Sequence, residues 1–290
     1  MAFRLAAAAY PIDWHNRWND YVGKLRVWVR TAAEGGATLL VFPEFAALEI
    51  ATLAEEANAS DPGRSVEALS ARLKDVDDLH ASLAREFGAV ICAASGPVKT
   101  RGGTIFNRAR LFTPEGGRGA QDKLTPDAEE TTIWGVAPGA AARVFETPLG
   151  RIGVLIGEDV AATGIAAAMA QAGAEILLAP GRTGDAALAA ARRAAAARRA
   201  EETGCLVVQS VVVGAVDWAQ ALGRSTGTAA VLAPAAVAAA TAGVLAEGKA
   251  DAPGWVQAEA PLADLSLARA AARPHGGEGW EVEVVSLAAG

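Results

Sequence analysis

A short apolar run in the middle of the chain constrains the fold more than any other segment. Val154, Leu155 and Ile156 follow one another between two glycines, and an alanine-rich segment at 161–172 begins a few residues later. A strand of consecutive apolar residues must be covered on both faces, which is typical of central strands in α/β proteins. The sequence therefore predicts a buried strand, a tight turn at Gly157 and a helix.

That turn is the kind of place where α/β proteins mount reactive groups. Ligands bind at the carboxyl ends of the strands. A sharp turn from strand to helix exposes a side chain and directs backbone N–H groups at developing negative charge. Gly157 has no side chain to attack with. The position where a nucleophile is expected is therefore filled by a residue that cannot serve as one.

Strands and helices alternate along the rest of the chain. Apolar runs predict strands at 3–10, 38–42, 89–94, 104–112, 142–146, 152–156, 175–180, 205–213, 227–232 and 254–259. Helical spacing predicts helices at 14–34, 65–87, 161–172 and 185–202, and we expect a helix and an extended tail anchored by Trp280 over 260–290. Neither a linker nor a repeat divides the chain. We therefore predict one α/β domain over residues 1–290, built as a two-sheet layered sandwich.

Composition narrows the class of protein. The net charge of -7 offers no electrostatic footprint for nucleic acid, and no apolar stretch approaches the length that spans a bilayer. Cys92 and Cys205 lie in apolar runs, which predicts buried thiols in a reducing compartment. His15, His80 and His275 show no ligand spacing with them. We expect a cytoplasmic protein that uses no metal, cofactor, nucleic acid or membrane.

Two charged residues follow predicted strands. Glu44 comes just past the apolar run at 38–42, where a carboxylate is costly unless it is paired or used. An exposed glutamate at a strand end is an equally simple interpretation from position alone. Lys123 lies where the strand at 104–112 is expected to continue towards residues 121–123, and a lone lysine after a strand is usually solvated. The arginine pairs at 192–193 and 198–199 predict a solvated or salt-bridged helix face.

Several segments taken together resemble the carbon–nitrogen hydrolase family, also called the nitrilase superfamily. They occur in the family's order over nearly the whole chain: L-L-V-F-P-E-F around Glu44, D-K-L-T-P with a following E and W-G-V around Lys123 and Glu130, G-R-I-G-V-L-I-G-E-D ending at Asp159, and the segments 172–180, 199–210 and 253–259. The resemblance implies a four-layer α-β-β-α sandwich that forms a homodimer or a higher homo-oligomer through its helices. It also implies action on the C–N bonds of small amides or nitriles.

The resemblance assigns roles to individual positions. Glu44 matches the general base, Lys123 the cation that stabilises a tetrahedral oxyanion, and Glu130 the second carboxylate, which positions the substrate and the lysine. Such a set is chemically consistent, because a thiol needs a neighbouring base and the developing charge needs a fixed cation. Gly157 stands where the family has its cysteine. We also expect Glu158 and Asp159, the next two residues, to contact substrate.

The family pattern is altered beyond Gly157. The family's C-Y-D-x-x-F-P-E, with an arginine one helical turn later, keeps its aspartate as Asp159, but the later positions are Ala162, Thr163, Gly164 and Ala167, and Thr203 replaces an asparagine. A glycine introduced to trap a complex would change a single residue. Loss of a nucleophile from such a set can reduce turnover by about a million-fold.

Three hypotheses follow. The first is a member of the family that has lost cysteine-dependent hydrolysis. The second is a non-enzymatic homodimer that binds a small ligand or acts as a scaffold. The third is an active hydrolase in which Glu44 and Lys123 act with water or with an unusual nucleophile such as Glu158.

Overall fold

Two β-sheets stack face to face, and helices cover the outer face of each. The computed structural model describes residues 3–287. The strands are β1 Arg4–Tyr10, β2 Ala37–Val41, β3 Val90–Lys99, β4 Ile105–Phe112, β5 Arg118–Asp122, β6 Ala142–Thr147, β7 Gly150–Val154, β8 Ile176–Gly181, β9 Leu206–Val212, β10 Gly214–Val216, β11 Gly223–Ser225, β12 Ala230–Leu232, β13 Val244–Glu247, β14 Gly254–Glu259 and β15 Val282–Ser286. The helices are α1 Trp18–Glu34, α2 Glu56–Ala59, α3 Pro62–Ala71, α4 Leu73–Phe87, α5 Thr163–Gln171, α6 Ala186–Thr203 and α7 Leu262–Ala271.

The sheets have a simple strand order. The first runs β14-β1-β2-β3-β4-β5, and the second runs β15-β6-β7-β8-β9-β12-β13. They join where the ends of two parallel strands pair, with Ala9 of β1 opposite Val211 of β9 and Tyr10 opposite Val212. β10 and β11 form a separate hairpin.

Three apolar cores separate the layers. Side chains alternate between the two faces of a strand, so neighbouring residues enter different cores. Leu39 and Val154 lie between the sheets. Leu40 packs under α1, α3 and α4, while Leu155 packs under α5 and α6. The four-layer α-β-β-α sandwich is confirmed, and Val154, Leu155 and Ile156 are each fully buried as predicted.

The topology brings several strand ends to one edge. β1, β2 and β3 are parallel, β7, β8 and β9 are parallel, and β1 is parallel to β9. β5 runs in the same direction as β3, because each is antiparallel to β4. The carboxyl ends of β2, β5, β7 and β8 therefore meet at the same edge, which is where an α/β sheet offers its binding crevice.

One predicted helix is wrong in its extent. The segment 65–87 forms two helices, α3 and α4, which are separated at Arg72, where φ is −103° and ψ is 5°. Both helices bury apolar residues at helical spacing, and arginine is not a helix-breaking residue. The apolar pattern therefore continues through the break. α1 begins at Trp18, four residues later than predicted.

The C-terminal segment adds an edge strand. After α7, the chain crosses α5 and forms β15, which pairs in parallel with β6. Trp280 is half-buried against the core under α5, as predicted, and residues 288–290 of the predicted tail lie outside the described residues. The sequence did not predict the short strands β10, β11 and β13. β15 lies in the segment that was expected as an extended tail. Among the residues that the structure describes, no helix is long and apolar enough to cross a membrane.

Candidate active site

Glu44 is held at the end of β2 by a strained backbone. The next residue, Phe45, has a φ of 61°, in the left-handed region, and its ring lies 4.8 Å from that of Trp134. A non-glycine residue pays on the order of 1–2 kcal/mol for this conformation. Such strain is concentrated at functional sites. Here it turns the chain sharply after β2 and leaves the Glu44 carboxylate 1% exposed.

Both oxygens of the Glu44 carboxylate accept hydrogen bonds. Oε1 accepts from Lys123 Nζ at 2.9 Å and from Asn107 Nδ2 at 3.0 Å. Oε2 accepts from the backbone N–H of Arg182, just past β8, at 3.0 Å. The carboxylate of the predicted general base therefore accepts three hydrogen bonds, two on Oε1 and one on Oε2.

Lys123 joins Glu44 to Glu130. Its ammonium is 1% exposed and also donates to Glu130 Oε2. Asn107 bridges the carboxylates as well, because Nδ2 donates to Glu130 Oε1 at 2.8 Å. Glu130 and Asp127 form a reciprocal capping box at the start of the short turn 130–134. We call Glu44, Asn107, Lys123 and Glu130 the charge cluster.

The charge cluster has one cation for two carboxylates. Burial raises the pKa of Glu130, the charge of Glu44 raises it further, and Lys123 opposes both, which leaves the pKa at about 7. Burial lowers the pKa of Lys123, but Glu44 and Glu130 outweigh it and hold that pKa above its ordinary value. Lys123 is therefore charged at neutral pH, and Glu130 is the group in the cluster that titrates near neutrality.

This arrangement predicts a pH dependence of stability. The pKa of Glu130 rises from 4.5 to about 7 on folding, so the folded state holds a proton that the unfolded state releases between these values. The contribution of this proton to the free energy of unfolding is full below about pH 4.5 and is lost as the pH rises through 7. We expect Glu130→Gln to remove about 1–3 kcal/mol of the decline in unfolding free energy between pH 5 and 8. Urea titrations at both pH values measure it, and identical declines in the two proteins would contradict it.

Gly157 lies directly against the charge cluster. It begins a 3-10 turn after β7 with a φ of 55°. A Cβ atom at this position would overlap Glu44 Oε1 and lie 2.7 Å from both Glu44 Oε2 and Lys123 Nζ. The structure therefore brings Glu44, Lys123, Glu130 and Gly157 together. It also leaves no room for a side chain at position 157 in this arrangement.

The two residues after Gly157 have different surroundings. Asp159 is fully buried, and its carboxylate accepts from the backbone N–H groups of Leu124, Thr125 and Ile156 and from the Thr125 hydroxyl. Burial raises the pKa of Asp159 against these hydrogen bonds. The carboxylate ties the Gly157 turn to the loop that carries Lys123, a different position from the expected contact with substrate.

The Glu158 side chain is directed towards α6 instead. It is partly exposed, and its Oε1 pairs with Arg192 of α6, whose Nε is 3.0 Å away. Arg192 also donates to the backbone carbonyl of Arg182. The pair closes one side of the site, between the Gly157 turn and α6.

A cavity of about 310 Å³ opens over the charge cluster. We call it the charged cavity. Phe45, Trp134 and Leu188 form apolar parts of its wall. Of the described residues, five acidic and three basic ones line it: Glu44, Asp127, Glu129, Glu130 and Asp185 against Lys123, Arg182 and Arg192. The balance is negative, which disfavours an anionic ligand.

Sequence reasoning missed three residues of this site. Asn107 is fully buried on the apolar face of β4, and one polar residue within an alternating apolar pattern was its signal. Arg182 follows β8, as Glu44 follows β2. Arg192 was expected on a solvated or salt-bridged helix face; it is 8% exposed and pairs with Glu158. The salt bridge agrees with that prediction, but the sequence did not predict that the first turns of α6 and Arg192 line the charged cavity.

The cysteines lie away from this site. Cys92 is fully buried between the sheets and Cys205 is fully buried under α6. Burial raises the pKa of Cys92 to about 12 and that of Cys205 to about 11. Neither lines the charged cavity. Within residues 3–287, no group of three or more His, Cys, Asp or Glu side chains is arranged to hold a metal ion.

Known proteins resemble this chain in sequence or in fold. A probable hydrolase, YhcX, of Bacillus subtilis (strain 168) is 27% identical over 182 residues, which cover 63% of this chain and 35% of the relative. An aliphatic nitrilase of Sinorhizobium fredii (strain HH103) is 28% identical over 138 residues, 44% of each protein. The matches thus cover less than half the length of either relative.

A solved structure and a family model agree with these matches. The carbon–nitrogen hydrolase of Helicobacter pylori G27 superposes with a TM-score of 0.76 at 18% identity, over 93% of this chain and 92% of that one, which supports the fold. The carbon–nitrogen hydrolase family model matches residues 4–270. Since that match covers most of the chain, the protein belongs to the carbon–nitrogen hydrolase family.

Proposed function

We propose that this protein has lost cysteine-dependent hydrolysis and uses the charged cavity to bind a small, uncharged or cationic ligand. One observation carries the proposal: Glu44 and Lys123 occupy the space into which a side chain at position 157 would project. A glycine stands at the position of the nucleophile, and the Glu44 and Lys123 side chains fill the space beside it. Glycine adopts the φ of 55° at this turn without strain, which favours the fold at the expense of chemistry.

The contacts of the remaining groups argue against a substitute nucleophile. Glu44 Oε1 already accepts two hydrogen bonds and Oε2 accepts one, which leaves a single lone pair on Oε2 to take a proton from water. Glu158 pairs with Arg192 through Oε1, and a carboxylate held by a guanidinium is a poor nucleophile. Cys92 and Cys205 are buried in other cores, with pKa values raised by burial.

The charge and shape of the cavity support binding. It is large enough for a small organic molecule, and it combines apolar walls with buried polar groups, as binding sites commonly do. Relatives include a probable hydrolase and an aliphatic nitrilase. A small amide or nitrile is therefore the first ligand to test. The homodimer and the cytoplasmic location remain predictions, and sedimentation of the purified chain would measure the former.

Ammonia release tests the loss of hydrolysis. We expect no ammonia from a panel of aliphatic and aromatic amides and nitriles, because no thiolate is present to form the covalent intermediate. Gly157→Cys is expected to be silent as well, since the new side chain would project into the charge cluster. The measurement is an enzyme-coupled ammonia assay on both proteins.

Glu44→Gln is the control in this assay. Ammonia release by the natural sequence that disappears in Glu44→Gln would overturn the proposal and favour a water-based hydrolase. Turnover that appears in Gly157→Cys would show that the charge cluster moves aside readily. In that case the glycine alone would account for the loss of activity.

A further inference from the structure

All three basic side chains of the charged cavity already have acidic partners. Lys123 pairs with both carboxylates of the charge cluster, and Arg192 pairs with Glu158. Arg182 lies 3.7 Å from Glu129. These pairs leave no unpaired cation among the described residues of the cavity wall. An anionic ligand therefore has no free cation to bind there.

Two carboxylates of the wall lack a cationic partner. Asp127 accepts the backbone N–H of Glu130 at 2.8 Å, and Asp185 accepts that of Leu188 at 2.8 Å. Neither carboxylate forms an ion pair with any described residue. Leu188, which is 37% exposed, places an apolar side chain on the same wall. Unpaired carboxylates beside an apolar side chain fit an organic cation, because a hydrated metal ion gains nothing from the apolar contact.

Negative charge is in excess over the whole cavity. Five acidic side chains oppose three basic ones among the described residues of the wall, and Glu130 is one of the five. The excess is therefore two charges when Glu130 is ionised and one when it is protonated. Because the pKa of Glu130 is about 7, both forms are populated at neutral pH. A single positive charge in the cavity would favour the ionised form.

The surroundings of Glu130 make its proton sensitive to added charge. Glu44 disfavours the ionised carboxylate, and Lys123 favours it. Titratable and charged groups face its turn from the cavity and from α3, where they are exposed: Glu44, Asp127, Lys123, Arg64 and Glu67. One ammonium is shared between two buried carboxylates. A second cation nearby would therefore stabilise the negative charge that Lys123 balances only in part.

We propose that the charged cavity binds a small protonated alkylamine, and that binding displaces the proton of Glu130 into the solvent. The proposal rests on the proposed function, because it assigns the ligand of the same cavity. Asp127 and Asp185 supply negative charge to the ammonium group, and Leu188 supplies an apolar contact to the alkyl chain. Ligand and proton compete, so the affinity for the amine increases as the pH rises through 7.

Three probes of similar size separate the charge of the ligand from its alkyl chain. Butylammonium is a cation, 1-butanol is neutral and butanoate is an anion. NMR titration of the full chain at pH 8 follows the backbone amide signals of Gly184 and Leu188, two residues of the cavity wall. We expect butylammonium to shift both signals at concentrations where 1-butanol and butanoate leave them unchanged.

The displaced proton is tested by repeating the butylammonium titration at pH 6. An alkylammonium group resembles that of lysine and stays charged at both pH values. We expect the dissociation constant to be about fivefold lower at pH 8 than at pH 6. Glu130→Gln should remove this difference, because glutamine resembles a protonated glutamate. Calorimetry of the unaltered chain at pH 7, in two buffers of different ionisation enthalpy, counts the released protons without a variant.

Asp185→Asn tests the carboxylates at the wall. Asparagine also caps a helix, so the substitution removes the charge and keeps the start of α6. We expect it to weaken butylammonium binding about threefold and to leave 1-butanol unaffected. Asp61→Asn is the matched control, because Asp61 caps α3 in the same way and does not line the cavity. Thermal melts verify that both variants fold.

The outcomes are distinct. Equal affinity for butylammonium and 1-butanol, or the absence of shifts at Gly184 and Leu188 with butylammonium, would overturn the amine as ligand. So would equal butylammonium affinity in Asp185→Asn and Asp61→Asn. A dissociation constant that is the same at pH 6 and pH 8, or a pH dependence that persists in Glu130→Gln, would overturn the displaced proton. Ammonia release from amides would instead overturn the proposed loss of hydrolysis, and the butylammonium titrations would still decide the charge of the ligand.

Discussion

Gly157→Ala is expected to lower the free energy of unfolding by about 2–5 kcal/mol. About 1–2 kcal/mol comes from placing a β-carbon on a residue with a φ of 55°. A further loss of about 1–3 kcal/mol comes from overpacking, because the new methyl group would press on the Glu44 carboxylate and the Lys123 ammonium. Urea unfolding followed by circular dichroism measures the difference between the two proteins.

Gly88→Ala is the matched control for this substitution. Gly88 ends α4 with a φ of 62°, and a Cβ atom there would meet no heavy atom within 4 Å. Its substitution therefore carries the backbone cost alone. The excess loss in Gly157→Ala isolates the contact with the charge cluster. Equal losses in the two variants would contradict the proposal that Glu44 and Lys123 fill the space beside position 157.

The sequence was sufficient for the fold and for the position of the site. Apolar runs of strand length identify buried strands, and residues that follow parallel strands converge at one edge of the sheet. Glu44, Lys123 and Gly157 were found in this way and by resemblance, and the structure brings them together. The break at Arg72 and the short strands were not predictable, because neither changes the apolar pattern over enough residues.

The state of the site was not predictable from the sequence. A glycine at position 157 is consistent with empty space beside it in an otherwise intact pocket. It is equally consistent with a charge cluster that fills this space. The two arrangements differ only in where the Glu44 and Lys123 side chains lie. Hydrogen bonds from Asn107 and from the Arg182 backbone decide between them, and both residues are far from Glu44 in the chain. Side-chain contacts of this kind leave no periodic pattern in the sequence.

The retained carboxylates make Lys123 a structural residue in its own right. Glu44 and Glu130 are 1% and 2% exposed, and Lys123 pairs with both. Removal of the shared cation leaves two buried carboxylates that face each other without compensation. A buried charge whose partner is removed costs much more than an ion pair at the surface contributes.

Lys123→Met is therefore expected to lower the free energy of unfolding by about 3–5 kcal/mol at pH 8. The loss should be smaller at pH 5, because burial and Glu44 already raise the pKa of Glu130 to about 7, and the loss of the ammonium raises it further. Protonated Glu130 then relieves the repulsion. Urea titrations at both pH values measure the loss. Lys74→Met is the control. The Lys74 ammonium is exposed and pairs with Asp78 on α4, so its removal should change stability little at either pH. A loss in Lys123→Met that is small at pH 8, or equal at the two pH values, would contradict this account of the charge cluster.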